Sequence, residues 1–193
     1  MAISQAGLVR SVLRFAAERQ RFRIVVMKDS LMHLAQSIAA SALQDVVVGW
    51  LRNVPGLPPI VQTVHILSVA CVMASIVMID LRLLGLAVPS QSPEEMARRL
   101  MPWLWTALSL LLLSGAMFVI ARPHRYFLNP VFGIKLALLM VAIACSTMVR
   151  RLIQSGSHSV LLKAAASLSL LAWLGVVLAG RWIAYSDYLF MPE

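Results

Sequence analysis

The sequence predicts an all-α membrane protein: a bundle of four transmembrane helices with an amphipathic interfacial helix on its N-terminal side. The first observation behind this prediction is composition. Of the 193 residues, 60% are hydrophobic and only 13% are charged, and the mean hydropathy is +0.83. Soluble domains are about half apolar and about one quarter charged. The chain therefore has the composition of a protein that lives in a bilayer.

The second observation is four long apolar segments, which cover residues 60–87, 102–121, 131–149 and 164–185. Roughly 20 largely apolar residues are needed to cross the hydrocarbon core as a helix. The third observation is that these runs are continuous and lack the alternation of apolar and polar residues that marks a membrane β-barrel. Helices are therefore expected, and residues 59–193 are predicted to form the four-helix bundle.

The region before the first span has two predicted parts. Residues 1–28 form a basic amphipathic arm, with several arginines on one face and Leu13 and Phe15 on another, and such a segment suits a membrane surface. Residues 29–58 are predicted to hold an interfacial helix that begins at Asp29 or Ser30, because polar residues interrupt its apolar face. The NVPGLPP stretch, residues 53–59, then ends that helix and redirects the chain.

The net charge of +9 points to lipid rather than nucleic acid. The arginines and lysines lie mainly at the ends of apolar runs, where anionic headgroups are the expected partner, so no nucleic-acid role is predicted. The N-terminal region and the loop around residues 122–125 carry more Lys and Arg than loops 91–100 and 151–163 together. Both termini are therefore expected to be cytoplasmic, in a multi-pass protein of the bacterial inner membrane.

Three basic side chains are predicted to share one depth in the membrane. At about 1.5 Å of rise per residue, His65 in the first span, Lys135 in the third and Arg181 in the fourth reach the same cytoplasmic layer. Aromatic residues border this layer, namely Tyr126, Trp182 and Tyr185. We expect a cationic pocket that binds a small anionic ligand, a lipid or a partner subunit.

Two other interpretations of the same residues stay open at this stage. One is a b-type haem with His65 as an axial metal ligand and the cations on its propionates, with His33 as a conceivable second ligand. The other is purely structural: Lys135 and Arg181 each extend to headgroups, and His65 bonds a nearby backbone group or the NVPGLPP turn.

A second polar set lies near the opposite face of the membrane. Asp80 and Arg82 are two residues apart and so point to different sides of the first helix. The third span brings Arg150 and Arg151 to the same layer, and we expect Asp80 to form a structural ion pair with one of them.

Catalytic patterns are missing from the sequence. It contains no Walker loop, nucleophile elbow or HExxH motif, and its methionines and histidines lack the close spacing of a copper relay. No catalytic residue is assigned, and an accessory or ligand-binding role is favoured over an enzyme.

Four short motifs carry a resemblance. The HIL, DLRLLG, NPVFGIK and GRWIAY stretches, at 65–67, 80–85, 129–135 and 180–185, resemble an uncharacterised family of bacterial multi-spanning membrane proteins over roughly residues 30–186. The arrangement is also distantly similar to the copper-resistance D family and to HemJ-type protoporphyrinogen oxidases. The latter likeness implies a haem-contacting role for His65 and a matching basic residue at Lys135. The former implies a copper or small-solute permease.

Overall fold

The computed structural model describes residues 5–87, 90–156 and 160–190, and within these ranges it is helical with no β-strand. Its helices in chain order are α1 (Gln5–Ala39), α2 (Ala42–Asn53), α3 (Leu57–Leu83), α4 (Pro93–Ala121), α5 (Pro123–Phe127), α6 (Pro130–Gln154) and α7 (Val160–Phe190).

The predicted all-α membrane fold is confirmed. Helices α3, α4 and α6 are each long and apolar enough to cross a bilayer, and so is α7 over Val160–Tyr185. Helix α3 packs against α4 and α6 packs against α7, while a contact between α3 and α7 joins these two pairs. The chain reverses direction between successive spans, so the start of α3, the end of α4, the start of α6 and the end of α7 meet at one end of the fold.

The spanning helices begin at residues that stop helix propagation or cap free backbone N–H groups. Gly56 precedes α3 with a φ of +80°, a left-handed conformation that suits glycine. The Ser92 side chain accepts a hydrogen bond from Glu95 N at 3.1 Å at the start of α4. Asn129 does the same for Val131 N at 2.9 Å at the start of α6. Local sequence therefore sets where each of these helices starts.

The N-terminal region differs from the prediction in where its helix breaks. Helix α1 runs without interruption through Asp29 and Ser30, so the expected start at either residue is wrong. The break lies instead at residues 40–41, where the Ser41 side chain accepts from Gln44 N and caps α2. The Ser30 hydroxyl instead donates to the Val26 carbonyl within α1 at 2.9 Å, whereas the Ser41 oxygen accepts from a backbone N–H of the next helix and so starts it.

Helices α1 and α2 bend by 63° at this break. Taken together, the segments Leu13–Ala39 and Ala42–Asn53 would pass as a fifth span by length and composition, so the interfacial placement of this region stays a prediction. Residues 1–4 of the expected basic arm lie outside the described residues.

Two apolar clusters fill the interior of the four spans. One surrounds Trp173, which is 1% exposed, and includes Val72 and Leu104. The other lies toward the opposite end of α3 and includes Leu83 and Val149. The first cluster separates a cavity at the start of α3 from a buried carboxyl near its end.

Candidate functional site

A cavity of about 660 Å³ opens at one end of the fold, where the starts of α3 and α6 meet the ends of α4 and α7. Helix α2 and the short α5 complete its wall. Its lining residues are Val48, Leu51, Arg52, Pro58, Gln62, His65, Ile66, Phe118, Ala121, Arg122, Arg125, Tyr126, Lys135, Gly180, Ile183 and Ala184. This volume falls within the range of roughly 300–1,000 Å³ that is usual for small-molecule sites.

Among the residues that the structure describes, the wall of this cavity carries basic side chains and no acidic one. Arg52, Arg122, Arg125 and Lys135 all line it, together with His65, and no described Asp or Glu does. The remaining wall is mostly apolar. A cavity of this kind presents a positive potential to a ligand and has low-dielectric walls that focus the field.

His65 lies on the cavity wall and is held by the neighbouring helix. Its Nδ1 is 2.8 Å from Ser114 Oγ on α4, and its ring meets the edge of Phe118 with centroids 5.4 Å apart. The ring lies directly beside Gly115, where a Cβ would be in ordinary contact with His65 Cε1 at 3.5 Å. Helix α4 thus brings both Ser114 and Gly115 to the histidine.

The hydrogen bonds of Ser114 favour a proton on Nδ1 of His65. Ser114 Oγ lies 2.7 Å from the carbonyl oxygen of Leu110, which can only accept, so the serine hydroxyl donates to that carbonyl. The serine oxygen therefore accepts from His65 Nδ1–H. In a neutral imidazole this leaves Nε2 with a lone pair and no proton.

Lys135 lies on α6 as a half-buried ammonium beside the same cavity. Lys135 Nζ lies beside Gly180 of α7, 3.4 Å from where a Cβ would stand there. No ion pair and no hydrogen bond joins this Nζ to another residue that the structure describes. A lysine within a spanning helix normally has such a partner, so its positive charge is available to a ligand.

The other residues predicted for this layer divide into two groups. Tyr126 lines the cavity with His65 and Lys135. Arg181 does not line it: the guanidinium donates from Nη2 to the Tyr185 hydroxyl at 2.6 Å and stacks 4.8 Å from the centre of that ring. Trp182 is 54% exposed and also lies off the cavity wall. On α7, the side chains of Arg181, Trp182 and Tyr185 thus face the outside of the helix packing.

Three arginines take the place that Arg181 was expected to fill. Arg52 comes from the last turn of α2, and Arg122 and Arg125 from the junction of α4 and α5. In the sequence they appeared only as flanking charge that sets orientation. Their convergence depends on how α2 and α5 fold back over the ends of the spans, and no spacing within the chain reveals it.

The second polar set is also arranged differently from the prediction. Asp80 is 1% exposed, whereas Arg150 and Arg151 are exposed, and neither arginine pairs with it in the structure. Arg82 donates from Nε to the Gln91 carbonyl. Long arginine side chains at the end of α6 extend to the surface, while the shorter aspartate stays in the core. The expected ion pair is therefore not formed.

No group of three or more His, Cys, Asp or Glu side chains in the described residues could hold a metal ion. His33 is exposed on α1 and does not line the cavity. Among the described residues that line the cavity, His65 is the one His, Cys, Asp or Glu side chain.

The comparisons with known proteins agree with the predicted kind of family. No curated protein and no solved structure gives a match to this chain. A family model does match, over residues 56–186, which spans α3 to α7 and includes both His65 and Lys135. The match covers more than half of the chain, so this membrane protein belongs to a family of unknown function, DUF6644.

Proposed function

We propose that this protein binds an amphiphilic anion in the basic cavity at the start of α3. The observation that carries the proposal is Lys135: its ammonium lies half-buried on the cavity wall without a counter-ion among the described residues. An unpaired charge in a spanning helix is costly, and a bound carboxylate or phosphate would offset that cost.

The surrounding wall suits a ligand with both a charged and an apolar part. Arg122 and Arg125 lie on the same wall and have the planar guanidinium that binds carboxylate and phosphate through two parallel hydrogen bonds. Ile66, Phe118 and Ile183 give the same cavity an apolar side. A lipid headgroup with its acyl chains and a soluble organic anion share this chemistry.

The proposed ligand agrees with a non-catalytic, accessory or ligand-binding role. It also agrees with an orientation that places the cavity at the cytoplasmic side of an inner membrane, where anionic lipids and soluble phosphates are both within reach. Labelling of an Arg122→Cys variant by a membrane-impermeant thiol reagent, in whole cells and in lysed cells, tests this orientation. Labelling in lysed cells alone is the expected result, and equal labelling in whole cells would reverse the topology.

The binding test uses native mass spectrometry of the delipidated protein in detergent. Phosphatidylglycerol, phosphatidylcholine and inorganic phosphate are added separately. A Lys135→Gln variant is compared with Lys163→Gln, which removes an exposed lysine at the opposite end of the spans. Losing one charged hydrogen-bond donor of about 1.5–3 kcal/mol should weaken anion binding by about 10- to 100-fold at position 135 and leave binding unchanged at position 163.

The three ligands separate the sources of the anion. Binding of phosphatidylglycerol but not phosphatidylcholine identifies a lipid headgroup, and binding of inorganic phosphate identifies a soluble ligand. Equal binding of both phospholipids, unchanged by Lys135→Gln, would contradict the proposal.

A b-type haem is the second candidate, and the Nδ1–H tautomer of His65 favours it. Metal-ligating histidines commonly donate one ring N–H to a protein group and bind the metal through the other nitrogen, as Ser114 and the cavity would allow here. Absorption spectroscopy after expression with ample haem tests it. A Soret band lost in His65→Ala supports haem, and no band, or one that His65→Ala leaves intact, removes this candidate.

A further inference from the structure

A carboxyl group is enclosed at the far end of α3 from the cavity, fifteen residues and so about 22 Å of helix rise beyond His65. Asp80 is 1% exposed and is flanked by the apolar cluster that contains Leu83 and Val149. Its Oδ2 receives no hydrogen bond, and no ion pair reaches it from any residue that the structure describes. The carboxyl is therefore enclosed without a compensating charge.

A chain of hydroxyl groups runs from this carboxyl into the core. The Ser169 hydroxyl on α7 faces the Asp80 carboxyl, and its Oγ is 3.5 Å from Ser146 Oγ on α6. Ser146 donates its own proton to the Ala142 carbonyl at 2.9 Å and accepts from Trp173 Nε1 at 3.0 Å. The Ser146 hydroxyl proton is thus already used. In this series of hydroxyl groups, only the proton of the Ser169 hydroxyl can be donated to Asp80.

The ionised and the protonated forms of Asp80 need different hydrogen bonds from this series of hydroxyl groups. An ionised carboxylate only accepts and needs donors on both oxygens, and the chain offers a single donor. A protonated carboxyl has an O–H that can donate to Ser169, whose hydroxyl can then turn to Ser146. The neutral form thus gives a directed series of hydrogen bonds and avoids the cost of an isolated buried charge.

We propose that Asp80 is a proton-binding site inside the membrane, whose resident proton is donated to Ser169 while the Ser169 hydroxyl turns to Ser146. The ligand of this site is the proton itself, and the site is independent of the anion-binding cavity. It stands on three helices, α3, α6 and α7, and its polar groups form a line toward the buried Trp173.

Among the described residues, the charged and titratable groups around Asp80 form no ion pair with its carboxyl group, so none of them favours the ionised form over the protonated one. On α6 the Cys145 thiol is near enough to interact electrostatically with the carboxyl. On α4 the same cluster contains Met96, Ala97 and Met101, and the partly buried Trp105 packs against it. On α7 the basic Lys163 is exposed, as are the two arginines at the end of α6. On α3 itself, Arg82 reaches the Gln91 carbonyl.

Infrared spectroscopy of the purified protein at pH 6 tests the proposal. Exposed carboxylates are ionised at this pH, so a protonated carboxylic acid gives its own C=O stretching band. We expect this band in the wild-type protein and in Asp45→Asn, which removes an exposed carboxylate, and we expect its loss in Asp80→Asn. Asparagine keeps the size of the neutral acid and its capacity to donate to Ser169.

Isotope labelling keeps the test decisive if Asp80→Asn does not fold. The band of the wild-type protein should shift when aspartate is labelled with ¹³C at its carboxyl carbon, and again when the solvent is exchanged to D₂O. No acid C=O band at pH 6 would overturn the proposal, because the carboxyl would then be ionised. A band that does not shift on aspartate labelling would also overturn it, because the protonated acid would then not be an aspartate.

Discussion

Replacing Ser114 by alanine should change which nitrogen of His65 carries the proton. The serine oxygen accepts from His65 Nδ1 at 2.8 Å because its own hydroxyl is committed to the Leu110 carbonyl at 2.7 Å. Alanine removes the acceptor and fills nearly the same space, and the Cβ of residue 114 stays where it is. The change therefore acts on the tautomer equilibrium of His65 rather than on the packing of α3 against α4.

The size of the change follows from the strength of one hydrogen bond inside a membrane protein. Side-chain hydrogen bonds between spanning helices contribute about 0.6 kcal/mol on average and up to about 1.7 kcal/mol. At room temperature these energies correspond to an equilibrium shift of about 3- to 18-fold. The ratio of the Nδ1–H to the Nε2–H tautomer of His65 should fall by this factor in Ser114→Ala.

Nitrogen-15 NMR of histidine-labelled protein measures this ratio, because protonated and unprotonated ring nitrogens have well-separated chemical shifts. Four histidines are present, and a His65→Gln variant assigns the signal of interest. Ser109→Ala is the matched control, since Ser109 is exposed on the same helix and donates to its own backbone. A predominant Nε2–H tautomer in the wild-type protein, or no difference in Ser114→Ala, would refute the proton assignment.

Further predictions concern the packing of the spans, and chemical unfolding in mixed detergent followed by circular dichroism measures them. Gly175→Ala should lower the free energy of unfolding by about 1 kcal/mol, because its Cβ would lie 3.1 Å from Leu138 Cδ1. Gly133→Ala has no neighbour within 4 Å. It should raise the free energy of unfolding by about 0.5–1 kcal/mol through backbone entropy, and equal effects at the two glycines would contradict the packing of α6 on α7. Trp173→Ala should cost about 3–5 kcal/mol, because the side chain is 1% exposed and its loss leaves a cavity. Trp173→Phe should cost about 1–2 kcal/mol through the lost bond to Ser146, and a phenylalanine variant as unstable as the alanine variant would refute the role assigned to ring volume.

The candidate site was foreseen in part. The rise per residue along each helix was enough to place His65 and Lys135 at one level, and the structure puts both on one cavity wall. The same arithmetic included Arg181, but depth along a helix says nothing about direction around it. Arg181 lies at the predicted depth, but its side chain points away from the cavity and donates to the Tyr185 hydroxyl on the outside of the helix packing.

The interior polar groups show a second limit of sequence reasoning. Charge pairing suggested an arginine partner for Asp80, since the ends of α3 and α6 share a layer. In the structure the arginines reach outward and the carboxyl faces a serine. A single serine in an apolar run gives no sign of such a role, because serine in a spanning helix usually bonds its own backbone.

The sequence by itself determined the apolar character of the chain and its four spans, because these follow from apolar length and continuity. Tertiary structure alone decided which polar side chains meet. Arg52, Arg122 and Arg125 join Lys135 through the folding back of α2 and α5, and a one-residue rotation of any helix would turn a given side chain by about 100° away from its partner. That rotation is set by packing between helices, which no single segment encodes.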